Sequence, residues 1–202
     1  MGEIKNWDFE LNDEIIKLAL HFHSKPSPGT YVGVYLLKYL VSNLGEVEGK
    51  LHVITETEGC FIDVVQCILQ RTMGNRYLRV EKTGFIAYTG YGRDNPDKAL
   101  RVFINLSKVD KQKYPNLYGF FTGSRPHDKY DRTTLNQWTI DEFLKVGFDI
   151  FDKEWVKITG IKYKKDRKNI IVCEKCGQSF TSWEKDSLCT QCNNKDLYYQ
   201  KI

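Results

Sequence analysis

Cys173, Cys176, Cys189 and Cys192 form two CxxC pairs separated by twelve residues. Each CxxC turn points two sulfurs at one centre, and the intervening stretch lets the second turn complete a tetrahedron of thiolates, a donor set and geometry that suit Zn²⁺. Four protein ligands leave no open coordination position, so one such ion is structural: it folds the segment and activates no water. The spacing also admits two disulfides, and a tetrahedral S₄ set also accepts iron.

The elements that must position these residues are legible from capping and periodicity. Asn12 before Asp13 and Glu14 starts a helix, and Ile15, Ile16, Ala19, Leu20 and Phe22 fall at helical spacing up to His23. After Pro26, Ser27 supplies an N-cap and Pro28 the first position of a second helix, which Gly45 ends. Leu51 to Thr55 is a β-branched run, and a buried helix begins near Cys60, so this thiol sits at a strand-to-helix junction. Tyr77 to Val80, Phe85 to Tyr88 and Leu100 to Ile104 read as strands of an antiparallel group, with the polar stretch Asp94 to Lys98 as a turn. Asp110 to Thr134 reads as a long loop, Thr139 as the cap of a helix through about Phe151, and Trp155 to Ile161 as a last strand or an exit segment.

A chain of 202 residues, 41% hydrophobic, can bury one sizeable core and carry a small appendage. The expected division is a main domain over 1–160 and a metal-held ribbon over 161–202. No apolar run reaches the ~20 residues of a bilayer span, and the acidic N-terminus lacks the order of a signal peptide, which points to a soluble, cytoplasmic protein with no membrane partner. The net charge is +4, and residues 161–202 hold nine Lys or Arg against five Asp or Glu, leaving the remainder balanced. The densest part is Lys162, Lys164, Lys165, Arg167 and Lys168, a run that reads either as a nucleic-acid or acidic-partner surface or as a solvated linker.

Three stretches taken together resemble the family of the E subunit of formylmethanofuran dehydrogenase. Phe22-His23-Ser24-Lys25-Pro26-Ser27-Pro28-Gly29, followed by Gly33, is similar to that family's Phe-His-Gly-His-x-Cys-Pro-Gly segment; Glu56 to Gln66, with Cys60 and Asp63, resembles its second motif; Thr72-Met73-Gly74-Asn75 resembles its third, where the family commonly has Cys before the Thr and this chain has Arg71. The paired cysteines match the ribbon that many members carry. The resemblance implies an α+β fold, a mixed sheet with packed helices, behind which sits a small rubredoxin-like zinc ribbon. It also implies a nitrogen and sulfur metal site near two helix N-termini. Of that set only His23 and Cys60 remain here, with Lys25, Ser27 and Arg71 at the other positions, so a degenerate site without tight metal is expected.

Lys25, Arg71 and the N–H groups at the helix starts after Ser27 and Cys60 would instead form an anion pocket. In that pocket Cys60 would be the nucleophile, His23 its base and Asp63 a further site member. The plainer reading is a satisfied helix-end histidine and a buried small thiol. Cys67 reads as core packing, His52 and His127 as ordinary surface or cap residues, and Glu56 and Glu58 as weaker acid–base candidates. The functional expectation is a zinc-binding accessory or binding subunit without catalysis of its own. Redox-complex subunits are its expected partners, and Tyr114 to Phe121 is its expected homodimer surface. A stand-alone enzyme or sensor acting on an anionic small molecule through Cys60 and His23 is the alternative, and a nucleic-acid-binding ribbon protein ranks third.

Overall fold

The computed structural model describes residues 4–5, 7–159, 169–184 and 186–193. The chain divides into two compact units, Met1–Thr159 and Gly160–Ile202. In the first, β1 (Ile4–Lys5) is followed by helices α1 (Asp13–Phe22) and α2 (Pro28–Leu44), β2 (Val47–Glu48), β3 (Leu51–Thr55) and α3 (Cys60–Leu69). Then come β4 (Leu78–Val80), β5 (Ala87–Gly92), β6 (Asn95–Ile104), α4 (Pro115–Thr122), α5 (Arg132–Val146) and β7 (Phe151–Val156). The second unit contributes β8 (Asn169–Val172) and β9 (Ser179–Ser182), an antiparallel pair. The basic run from Lys162 to Lys168 lies outside the described residues.

Five strands form one mixed sheet in the order β4-β3-β5-β6-β7, the α+β arrangement expected from the sequence. β3 and β4 are parallel, because α3 carries the chain back across the sheet between them, whereas β3–β5, β5–β6 and β6–β7 are antiparallel. The purely antiparallel group is thus corrected at β4. A short hairpin joins β5 to β6, so Asn95 to Lys98, read as a turn, belongs to β6.

α2 is the central helix, with Val32, Leu36, Leu37 and Leu40 fully buried against β5, β6 and its helical neighbours. Its apolar residues reach nearly all round, as expected of a helix enclosed by other elements. Side chains alternate along β3: Leu51 and Val53 join this core, while His52 faces the other side of the sheet, where it packs edge-on to Tyr77 and tilted to Tyr91.

The 110–134 stretch is not a loop throughout. Pro115 occupies the first turn of α4, and Glu142 of α5 accepts hydrogen bonds from the Asn116 amide (2.6 Å) and the Leu117 N–H (2.7 Å), anchoring the start of that helix. α5 is capped by Asp131, which accepts from Thr133 N–H and Thr134 N–H. Thr139, expected as the cap, is buried mid-helix and donates back to Leu135 O (2.7 Å).

Candidate functional site

Three helix ends meet at Cys60. α1 begins on the Asn12 cap and ends at His23; Ser24 takes a left-handed conformation (φ 65°) and turns the chain toward Pro26 and the start of α2. Gly59, at φ 85°, makes the turn from β3 into α3, and Cys60 is the first helical residue. α2 and α3 approach closely because glycines line their contact. A Cβ on Gly29 would lie 3.1 Å from Cys60 Sγ, and one on Gly33 would lie 3.2 Å from Val64 Cγ2 and 3.3 Å from the Tyr88 hydroxyl. The Tyr88 hydroxyl donates to Phe61 O at 2.9 Å, tying the first turn of α3 to the sheet. Full burial, with Cys60 and Asp63 nearby, pushes the Tyr88 phenol well above its usual range and keeps it a neutral donor.

At this junction His23 Nε2 lies 3.2 Å from Cys60 Sγ, and His23 Nδ1 lies 2.7 Å from Asp63 Oδ2. Cys60 and Asp63 are three residues apart on α3 and therefore share a helix face, so one imidazole spans both. The Ser27 hydroxyl lies 3.2 Å from Cys60 Sγ and makes no capping bond at the start of α2, so its oxygen serves the thiol site rather than the helix. The His23 side chain is 12% exposed and that of Asp63 32%, while Cys60 is half-buried. The arrangement is a thiol, an imidazole and a carboxylate in series.

The structure brings His23, Cys60, Asp63 and Ser27 together but not Arg71. Arg71 lies beyond the C-terminal end of α3, a ten-residue helix about 15 Å long, whereas Cys60 begins that helix. Its guanidinium stacks 3.9 Å from the Trp7 ring centroid and 5.1 Å from that of Tyr77. The anion pocket pairing Arg71 with Cys60 is therefore corrected, and Lys25 is exposed on the segment before α2. Cys67 is half-buried, and burial raises its thiol.

His52 is no surface residue: it is 6% exposed, and burial first, then Arg93, Arg71 and Lys50, lower it to about 4. His127 is exposed. Glu56 is committed to structure, accepting from Arg101 Nε (2.5 Å), Arg101 Nη2 (3.0 Å) and the Thr83 hydroxyl (2.8 Å), and Glu58 pairs with Lys82.

In the second unit, β8 leads into the first CxxC. Gly177 N–H donates to Cys173 O and Asn193 N–H to Cys189 O, so each cysteine pair closes the same kind of turn. The four Sγ atoms lie within 4.8 Å of one another, and the Cys176–Cys189 separation is 3.7 Å. Zn–S bonds of about 2.3 Å imply a tetrahedral edge of about 3.8 Å, so the thiols fit the ion.

Cys189 N–H donates to Cys173 Sγ (3.3 Å), and this donation leads in lowering Cys173 to about 6. Burial, together with hydrogen bonds to the neighbouring thiols, raises Cys192 to about 12. A cation is what would let all four become thiolates together. Among the described residues this is the one cluster of three or more metal-ligating side chains so arranged, and no helix is long and apolar enough to cross a membrane.

A search of curated proteins finds no match. Among solved structures, a tungsten formylmethanofuran dehydrogenase FmdE-like protein from Syntrophus aciditrophicus is similar in fold, with a TM-score of 0.71 at 24% identity, covering 90% of this chain and 91% of that one. The family described as "FmdE, Molybdenum formylmethanofuran dehydrogenase operon" matches residues 22–152, a span that runs from the end of α1 into β7 and holds His23, Ser27, Cys60 and Asp63. On the strength of that match over most of its length, the chain belongs to the FmdE family.

Proposed function

We propose that this chain is an accessory or binding subunit of the FmdE type. One zinc ion is held for architecture by Cys173, Cys176, Cys189 and Cys192, and the core site has lost its metal. The observation that carries the reading is the four-thiol cluster, whose spacing matches a closed tetrahedral site with no position left for substrate. Two features support the degenerate core site. His23 directs one ring nitrogen to the Asp63 carboxylate, and the neighbour of Cys60 at position 27 is a hydroxyl rather than a thiolate.

The family description and the similar structure both name formylmethanofuran dehydrogenase, in molybdenum and tungsten forms. A redox assembly of that kind is the proposed setting, with the chain in the cytoplasm and self-association through the region of α4. Metal analysis of the purified chain tests the reading. One zinc per chain is expected, lost in Cys176→Ser and retained in Cys60→Ser. A second equivalent that disappears with Cys60→Ser would refute the degenerate core site. Recovery of molybdenum or tungsten with a tagged chain from its native cell would support the redox setting, and its consistent absence would count against it.

A further inference from the structure

We infer that Cys60, His23 and Asp63 form an acyl-transfer site in which Cys60 is the nucleophile, His23 the general base and acid, and Asp63 the positioning residue, acting on small activated esters or thioesters. This activity goes beyond the accessory role and does not depend on the ribbon. A lone thiol would carry no such inference, but here the imidazole reaches Sγ with one nitrogen (3.2 Å) while its other nitrogen is held by a carboxylate (2.7 Å). The second contact fixes which ring nitrogen carries the hydrogen: Nδ1–H donates to Asp63, so Nε2 presents a lone pair to the Cys60 thiol.

The start of α3 supplies what the developing charge requires. Ile62 N–H is taken by Gly59 O at 3.0 Å, while the N–H groups of Cys60 and Phe61 have no acceptor among the described residues. They project from the first turn of a ten-residue helix beside Sγ, where a carbonyl oxygen becoming negative would find two donors. Tyr88 donates to the Phe61 carbonyl, on the peptide that follows these two N–H groups, and so fixes the first turn of α3. Because Cys60 is half-buried, solvent and a small acyl compound can reach it, while His23 remains mostly covered.

The reaction balances within these groups. Sγ attacks the carbonyl carbon while its proton passes to His23 Nε2, and the tetrahedral oxyanion forms over the α3 N–H groups. The bond to the leaving oxygen or sulfur then breaks, and the leaving group takes the proton from His23. This leaves a thioester on Cys60. Water attacks the thioester with His23 accepting its proton, the carboxylic acid departs, and the proton returns to the Cys60 thiolate. No oxidant or cofactor enters the cycle.

The experiment incubates the full chain, with its zinc, with p-nitrophenyl acetate and follows p-nitrophenol release together with peptide-mapped acetylation. Acetyl transfer to Cys60 is expected at about 100-fold the rate at Cys67 and at Cys60 in the urea-unfolded chain. Cys60→Ser should abolish turnover, and His23→Gln should lower it by about 100-fold. Asp63→Asn should lower kcat by about 10-fold or more with KM little changed, and Asp63→Glu should recover part of the loss. Circular dichroism confirms that each variant is folded. Acetylation of Cys60 in the folded wild-type chain at the unfolded rate overturns the inference without touching the ribbon. So does an Asp63→Asn variant that raises KM alone.

Discussion

Replacing Gly29 with alanine separates the thiol geometry from general stability. The new Cβ would sit 3.1 Å from Cys60 Sγ and 3.3 Å from Cys60 Cβ, whereas relaxed contacts lie at about 3.5–4.0 Å. The thiol must therefore retreat by roughly half an ångström. Overpacking of this kind costs about 1–3 kcal/mol, and up to about 1 kcal/mol returns because alanine favours a helix over glycine. The net loss is about 0–3 kcal/mol, a fall in Tm of up to about 12 °C for a chain of this size.

The larger effect falls on the 3.2 Å contact between Cys60 Sγ and His23 Nε2. A displacement of that size should slow acyl transfer to Cys60 by about 10-fold, since roughly an ångström of misplacement can cost about 100-fold. Acetylation kinetics and thermal unfolding, measured on the same sample, read the two effects apart. Gly29→Ala with a lowered Tm and an unchanged acetylation rate would refute the claim that this helix contact sets the position of the thiol.

Three further perturbations have directions fixed by the structure. Arg71→Met should leave Cys60 acetylation unchanged and alter stability by less than about 1 kcal/mol, because the lost stacking on Trp7 is offset by no longer burying a cation that has no carboxylate partner among the described residues; a drop in Cys60 reactivity would restore Arg71 to the site. His52 is neutral in the fold, since burial and the neighbouring Arg93, Arg71 and Lys50 lower it to about 4. Its contribution is therefore fully present above the unfolded value near 6.5 and is lost as pH falls toward 4, about 3 kcal/mol in all; His52→Gln should flatten the urea-measured stability profile across that window. Burial works to raise Glu56, but hydrogen bonds from Arg101 and Thr83 outweigh it and hold the carboxylate below its ordinary range, so its stabilisation is lost as acid drops through that lowered value. Glu56→Gln should lower Tm at neutral pH and narrow its gap to wild type in acid, and a gap constant with pH would contradict the assignment.

The parts of the core site that were legible in the sequence were those set by local chemistry. Asn12, Ser27 with Pro28, and Gly45 marked helix ends, and the apolar run at Leu51 followed by Cys60 marked the strand-to-helix junction. The ribbon was legible from cysteine spacing alone. What escaped depends on tertiary contact. Gly90 lies inside β5, where Leu44 and Leu40 of α2 press to within 3.0 and 3.1 Å of a would-be Cβ, a close approach that no local pattern announces. α4 was hidden by its glycine and proline, although Pro115 at a first helical turn was a usable sign. Arg71 was misassigned because a motif carries no direction; counting along the helix from Cys60 would have separated them. The part played by Asp63 rests on its placement one turn along α3, which the motif match suggested but could not join to His23.

The sheet's two outer strands are unlike its interior. One border, β4, is three residues long; the other, β7, reads Asp152-Lys153-Glu154 before Trp155 and is bordered by Lys157. Unsatisfied strand borders invite a neighbouring chain to add itself, and brevity on one side with alternating ionic groups on the other discourages that growth. Neutralising Lys153 and Glu154 together would therefore favour open-ended polymerisation while leaving the thiol at the start of α3 unchanged.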